Sequence, residues 1–292
     1  MDAEQVTECI AHHGEGPIWD PAVGRLLMVD MLRGEVLDVG DPQRSRTDSV
    51  DVVRHRVGSV AAALRPRTAG GFVVATEHGF SLYDADFALE RRLQDPITDA
   101  SVRMNDGGCD PRGRFYCGTM AYDERPGAGV LYRLQGEGEI SVAFAGVTIS
   151  NGLQWSLDGS IAYYIDTPTN CVDAFDYDVE SGQFSHRRHL AEVDPSQGHP
   201  DGMTIDAEGG LWVALWGGGK VHHYDPDGSL VDVINVPGVT NTTAVAFGDR
   251  DLDRLYITTS REGIADGDEP QAGAVFIASP GVRGKLLPGF AG

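Results

Sequence analysis

The chain has 292 residues, 41% of them hydrophobic, and its 23 basic and 44 acidic side chains leave a net charge of −21. That apolar content supports a sizeable core and excludes a disordered chain. A surface this acidic repels phosphate backbones and anionic lipid, which argues against nucleic-acid and membrane partners.

The opening stretch, MDAEQVTECIAHHG, lacks the basic and apolar regions of a signal peptide. No segment approaches the ~18 apolar residues that a membrane span requires, so a cytoplasmic protein is expected. Cys9, Cys109, Cys117 and Cys171 show no CxxC pairing and read as reduced, mostly buried thiols.

From Ile18 onward one unit recurs: an apolar stretch, an Asp/Gly turn, then a strongly apolar strand. It reads IWDPAVGRLLMVD from Ile18, LRPRTAGGFVVAT from Leu64, CDPRGRFYCGTM from Cys109, WSLDGSIAYYID from Trp155, IDAEGGLWVAL from Ile205 and FGDRDLDRLYITT from Phe247. The repeat length, ~40–50 residues, is that of a four-stranded propeller blade. After each apolar strand comes an alternating one and another turn, as in GFSLYDADFAL, GVLYRLQGEGE, CVDAFDYDVESGQ and KVHHYDPDGSL. Period-two alternation between Gly/Asp turns marks strands rather than helices. The expectation is an all-β chain, a single six-bladed propeller over residues 1–292, with four antiparallel strands per blade. A short strand near Gln5–Ile10 is expected to complete the last blade, because a ring must close.

Aligned on the turn glycine, the repeats pick out one further position. Asn105, Asn151 and Asp201 each lie eight residues before their glycine, and Glu15 lies nine before Gly24. The other two blades offer only small groups there, Ser59 or Val60 and Thr243. Asn-Gly and Asp-Gly are also common hairpin turns, and DPRG, SLDG, DAEG and DPDG read as plain turns. Glu15, Asn105, Asn151 and Asp201 differ in sharing one register, separate from the turn that follows. On the innermost strands they would converge on the axis, and two close carboxylates cannot both stay charged without a compensating cation. Oxygen-only donors suit a single divalent ion, calcium first, with magnesium, manganese, zinc or iron(II) as alternatives.

The stretches GEGPIWD (14–20), RMNDGGCDPRGRFYCGTM (103–120), SNGLQWSLDG (150–159) and HPDGMTIDAEGGLWVA (199–214) together resemble the regucalcin (senescence marker protein), gluconolactonase and luciferin-regenerating-enzyme family. The likeness runs in order over nearly the whole chain and is looser at TAVAFGDRDLDRLYITT (243–259). It implies a six-bladed propeller in which Glu15, Asn151 and Asp201 hold one divalent cation. It implies substrate contacts at Arg103 and Asn105, and an acidic contact at Asp123, where this chain has Tyr122-Asp123 in place of a pair of acids.

The family most often hydrolyses sugar lactones. A cation polarises the lactone carbonyl and stabilises the developing oxyanion. Asp201 is the candidate base, the alternative being that the cation itself activates the water. Arg103 offers a fork of donors for hydroxyls or a carboxylate product. His199, on the loop DPSQGHPDG, and Trp216 are candidate pocket walls. His12-His13 and His222-His223 read as structural or exposed, since adjacent strand residues point to opposite faces. Trp19, Trp155 and Trp212 read as core.

The expected activity is a metal-dependent, gluconolactonase-like lactonase acting on a small aldonolactone, in a monomer or weak oligomer. The competing readings are a related esterase or phosphotriesterase using the same site, and a non-catalytic calcium-binding propeller.

Overall fold

The computed structural model describes residues 1–43 and 51–292. It forms six sheets of four antiparallel strands each. The innermost strands are Gly14–Asp20, Ala61–Pro66, Val102–Cys109, Ser150–Trp155, His199–Ile205 and Thr242–Gly248, for blades 1 to 6. Each lies against the innermost strands of both neighbouring blades, so the sheets close into a ring.

The apolar runs of the repeat become the second strand of each blade. Arg25–Asp30, Phe72–Thr76 and Leu211–Trp216 are almost entirely buried, because both sheet faces pack against neighbouring blades and no residue is left to face water. Outer strands face solvent and read accordingly: Leu89–Arg92 is exposed throughout. Trp155 and Trp212 are buried, and Trp19 stacks on Tyr256 with centroids 5.8 Å apart. Cys109, Cys117 and Cys171 are buried free thiols, and Cys9 is exposed.

Ring closure uses an earlier segment than expected. The closing strand is Glu4–Gln5, paired with Ile277 and Phe276 beside Phe276–Ala278 of blade 6. Val6 extends the pairing by donating to the Val275 carbonyl. Residues up to Ile10 then turn away, although Ile10 and Ala11 still donate to the Gly273 carbonyl. The C-terminal tail crosses the far end of the ring, where Gly284 bridges to Asp206 and Phe290 to Arg67. The other end, at the start of the innermost strands, is left to a cavity. No helix among the described residues is long and apolar enough to cross a membrane.

Candidate functional site

Every innermost strand breaks register near its start. The shifts fall between Glu15 and Ile18, Ala61 and Ala63, Met104 and Gly107, Asn151 and Leu153, Pro200 and Met203, and Thr242 and Val245. A β-bulge re-aims the side chains beside it, and six in one ring do so around one axis. The Glu-Gly, Asn-Gly and Asp-Gly pairs are therefore parts of bulged strands rather than hairpin turns. Their glycines permit close approach: a Cβ on Gly152 would lie 2.9 Å from the Asp201 carbonyl oxygen, and one on Gly202 2.9 Å from the Ala244 Cα. Gly202→Ala is expected to force blade 5 off blade 6 beside Asp201, costing about 1–3 kcal/mol. Thermal unfolding would read this as a Tm lowered by about 5 °C.

Glu15, Asn105, Asn151 and Asp201, from blades 1, 3, 4 and 5, are all buried and line one cavity of about 470 Å³. In blade 2 the equivalent bulge falls at Ala61–Ala63, not at Ser59 or Val60, and supplies no donor. Ser59 hydrogen-bonds the Glu77 carboxylate instead. Thr243 spends its hydroxyl on the Gly14 carbonyl at 2.6 Å and on Thr258.

The amides are locked in place. Asn151 Nδ2 donates to Thr167 Oγ1 at 2.7 Å, and Thr167 donates on to the Pro200 carbonyl. Asn151 Oδ1 accepts from Asn105 Nδ2 at 2.9 Å, which leaves it one lone pair for another partner. Asn105 Oδ1 in turn accepts from Arg103 Nη1 at 2.6 Å.

Arg103 does not line the cavity. It is buried behind the wall, donating also to the Met104 carbonyl, with its guanidinium 5.8 Å from the Tyr122 ring centroid. Its place makes it the residue that orients Asn105 and backs Tyr122.

The carboxylates are the unusual element. Burial, then the neighbouring Asp106 carboxylate, pushes Glu15 up to about 8. Burial, then Glu15 and Asp106, raises Asp201 well above the usual carboxylate range. Asp106, a third acid that the spacing argument left unassigned, is itself raised by burial against the pull of Arg65. Asp106 lies at the bulge, where its charge acts on Glu15 and Asp201, and Arg65 meets the same turn by donating to the Gly107 carbonyl. Neither Glu15 nor Asp201 forms an ion pair among the described residues.

The rim differs from expectation in two places. Asp123 accepts from Arg125 Nη1 at 2.9 Å and is not part of the cavity lining, whereas Glu124, with φ of 54°, is. His13 is neither exposed nor purely structural: it is buried and lines the cavity, with Nδ1 2.7 Å from Ser260 Oγ and 3.2 Å from Glu262. Burial and the nearby Arg103 charge push its pKa down to about 3, so the ring is neutral. His12 and His13 reach this place because the Asp30 carboxylate accepts both their backbone N–H groups. Tyr122, His199 and Trp216 also line the cavity, with Tyr122 donating to Glu77 and His199 held by Asn170. His222 and His223 diverge as expected, one toward Tyr224 and the other stacked on Trp212.

Among the described residues no point gathers three or more His, Cys, Asp or Glu side chains. The donors that do converge are two carboxylates and amide oxygens. This set suits a hard divalent ion, and two buried acids without an ion pair fit such a charge.

The sequence model of the SMP-30/Gluconolactonase/LRE-like region matches residues 13–261. "Putative sugar lactone lactonase YvrE" of Bacillus subtilis (strain 168) is 38% identical over 297 positions, covering 100% of this chain and 99% of its own. Regucalcin of Xenopus laevis is 38% identical over 307 positions, covering 98% of each chain. The crystal structure of a calcium-binding protein, regucalcin, from Agrobacterium tumefaciens superposes with a TM-score of 0.91 at 29% identity, covering 99% of this chain and 97% of that one.

Proposed function

The chain belongs to the SMP-30/gluconolactonase/LRE-like family, and from that membership and the site geometry we propose that it is a divalent-metal-dependent lactonase opening small aldonolactones. One observation carries the metal: Glu15 and Asp201 are buried in one cavity without an ion pair, and burial with neighbouring carboxylates suppresses both acidities, Asp106 acting on Glu15, and Glu15 and Asp106 acting on Asp201. A cation is what lets both ionise at neutral pH. Glu15, Asn151 and Asp201 would hold it, calcium ahead of zinc, manganese, magnesium or iron(II), since every donor is a hard oxygen. When bound, such an ion supplies Lewis-acid polarisation of an ester carbonyl.

The rest of the reaction falls to the chain's own side chains. Asp201 has a second carboxylate oxygen to take a proton from the attacking water. Water adds to the carbonyl carbon as Asp201 takes its proton, the ring C–O bond breaks, and the ring oxygen leaves as a hydroxyl by taking that proton back from Asp201. Asn105, fixed by Arg103, presents its amide beside Asn151 to orient the substrate. Tyr122, Met120, Ile149 and Pro168 supply the less polar wall. The name of the Bacillus relative supports the lactone, and the description of the Agrobacterium structure supports calcium.

The test strips the protein with a chelator, restores each ion singly and follows acid release from a panel of aldonolactones. Turnover that returns with an ion supports the reading. Metal-loaded protein that leaves every lactone at the background rate overturns it, and aryl-ester, phosphotriester and direct ion-binding assays then distinguish another hydrolase from a calcium-binding propeller.

A further inference from the structure

The cavity wall opposite Tyr122 and Glu124 has no role in the chemistry above. It is built where the ring closes: His13 precedes the first strand of blade 1, Trp216 ends a strand of blade 5, and Ser260 and Glu262 follow a strand of blade 6. His13 and Ser260 form a β-bridge, which ties the first blade to the last at this point.

The corner is held rigidly. Glu262 donates its N–H to Ser260 Oγ at 2.9 Å and accepts at its carbonyl from Asn241 Nδ2 at 3.0 Å. Its carboxylate, by contrast, is 46% exposed at the cavity. The His13 ring lies edge-on to Trp216, with centroids 5.8 Å apart. Its Nδ1 faces Ser260 and the Glu262 carboxylate. A carboxylate only accepts, so a hydrogen on Nδ1 is what the Glu262 carboxylate can take from this ring. Nε2 makes no hydrogen bond to any described residue, although the ring is buried and lines the cavity.

We propose that His13, Trp216, Ser260 and Glu262 form a specificity subsite that receives the hydroxyl-bearing tail of a neutral lactone and rejects a tail carrying a phosphate or carboxylate. The proposal rests on the lactonase reading and deepens it. The Glu262 carboxylate accepts hydroxyl hydrogens and repels another anion, and the unpartnered Nε2 of His13 meets a hydroxyl, which can both donate and accept. Specificity then comes from repulsion as much as from attraction. Trp216 gives the tail's C–H groups an apolar surface.

The experiment compares kcat/KM for a hexono-1,5-lactone and its 6-phosphate, using metal-loaded protein. Wild type is expected to favour the neutral lactone by about a hundredfold, and Glu262→Gln to narrow that ratio by about tenfold, mainly through KM of the phosphate. His13→Phe is expected to raise KM for the hexonolactone by about tenfold, and to raise KM less for a δ-lactone with no hydroxylated tail. Thermal unfolding checks that each variant is folded. Equal turnover of the two lactones by wild type, or a ratio that Glu262→Gln leaves unmoved, overturns the subsite while the lactonase reading stands. If neither lactone is hydrolysed, both fail together.

Discussion

Asp201→Asn is expected to reduce kcat for lactone hydrolysis by about ten-thousandfold while leaving the propeller folded. The substitution keeps side-chain volume and one oxygen donor but removes the group proposed to accept the proton from water, an effect of about 10²–10⁴ for general-base catalysis. Weakened metal binding adds to it, because a charged ligand becomes a neutral one. The two contributions separate by titrating the ion. If saturating metal restores wild-type kcat, Asp201 acts only as a ligand and another group is the base. If kcat stays low with the site filled, the base role stands. Glu15→Gln is the matched comparison. It also removes one charged donor from the same cavity, so it should weaken the ion and, at saturating metal, recover most of the rate. A second readout checks the physical premise. Asp201 is held above the normal carboxylate range by burial and by Glu15 and Asp106, so the metal-free Asp201→Asn protein should melt higher than metal-free wild type at pH 8.

The ring and the residues that converge on its cavity were legible in the sequence for one reason. Each blade repeats the same turn and the same buried second strand, and a closed ring puts equivalent residues at equivalent places around an axis. Glu15, Asn105, Asn151 and Asp201 could thus be found by register as residues of one cavity, whereas singling out three of them as ligands came from the family resemblance. What lay beyond reach depends on where the backbone departs from regular geometry. Strict alternation along a strand would send Asn105 and Asp106 to opposite faces, yet at the bulge between Met104 and Gly107 the Asp106 charge still acts on Glu15 and Asp201. The same alternation rule argued against His13, whose position is set by a carboxylate seventeen residues away that pins two consecutive N–H groups. Asp123 and Glu124 are separated by a left-handed residue conformation at Glu124, which no spacing argument supplies. Glu262 reaches the rim through hydrogen bonds with Ser260 and Asn241. Strand positions are encoded by periodicity. Rim positions are encoded by individual caps and bulges, each visible only once its partner across the ring is known.

Those buried acids also make the metal-free protein's stability fall as pH rises. Glu15 titrates near 8 in the fold against an ordinary value near 4.5, and Asp201 and Asp106 are displaced in the same direction. Between those two values the folded chain holds a proton that the unfolded chain has released. The stabilisation is therefore fully present below about pH 4.5 and is lost as pH climbs toward 8, at ~1.4 kcal/mol per pH unit for each such group. Glu15 alone contributes a loss on the order of 5 kcal/mol across the window, which corresponds to a Tm lowered by about 10 °C. A bound divalent ion reverses the sign of the problem, because its ligands are deprotonated and binding releases their protons. Ion affinity should rise from pH 5 to pH 8, and the Tm of the loaded protein should stay nearly level where that of the chelator-treated protein falls. Parallel melts over this range, with and without chelator, measure the divergence. Glu15→Gln should flatten much of the metal-free slope, since an amide has no proton to lose. A metal-free Tm that is level or rises over the same range would mean that Glu15 and Asp201 are already neutralised by the chain itself, and the case for a cation between them would go with it.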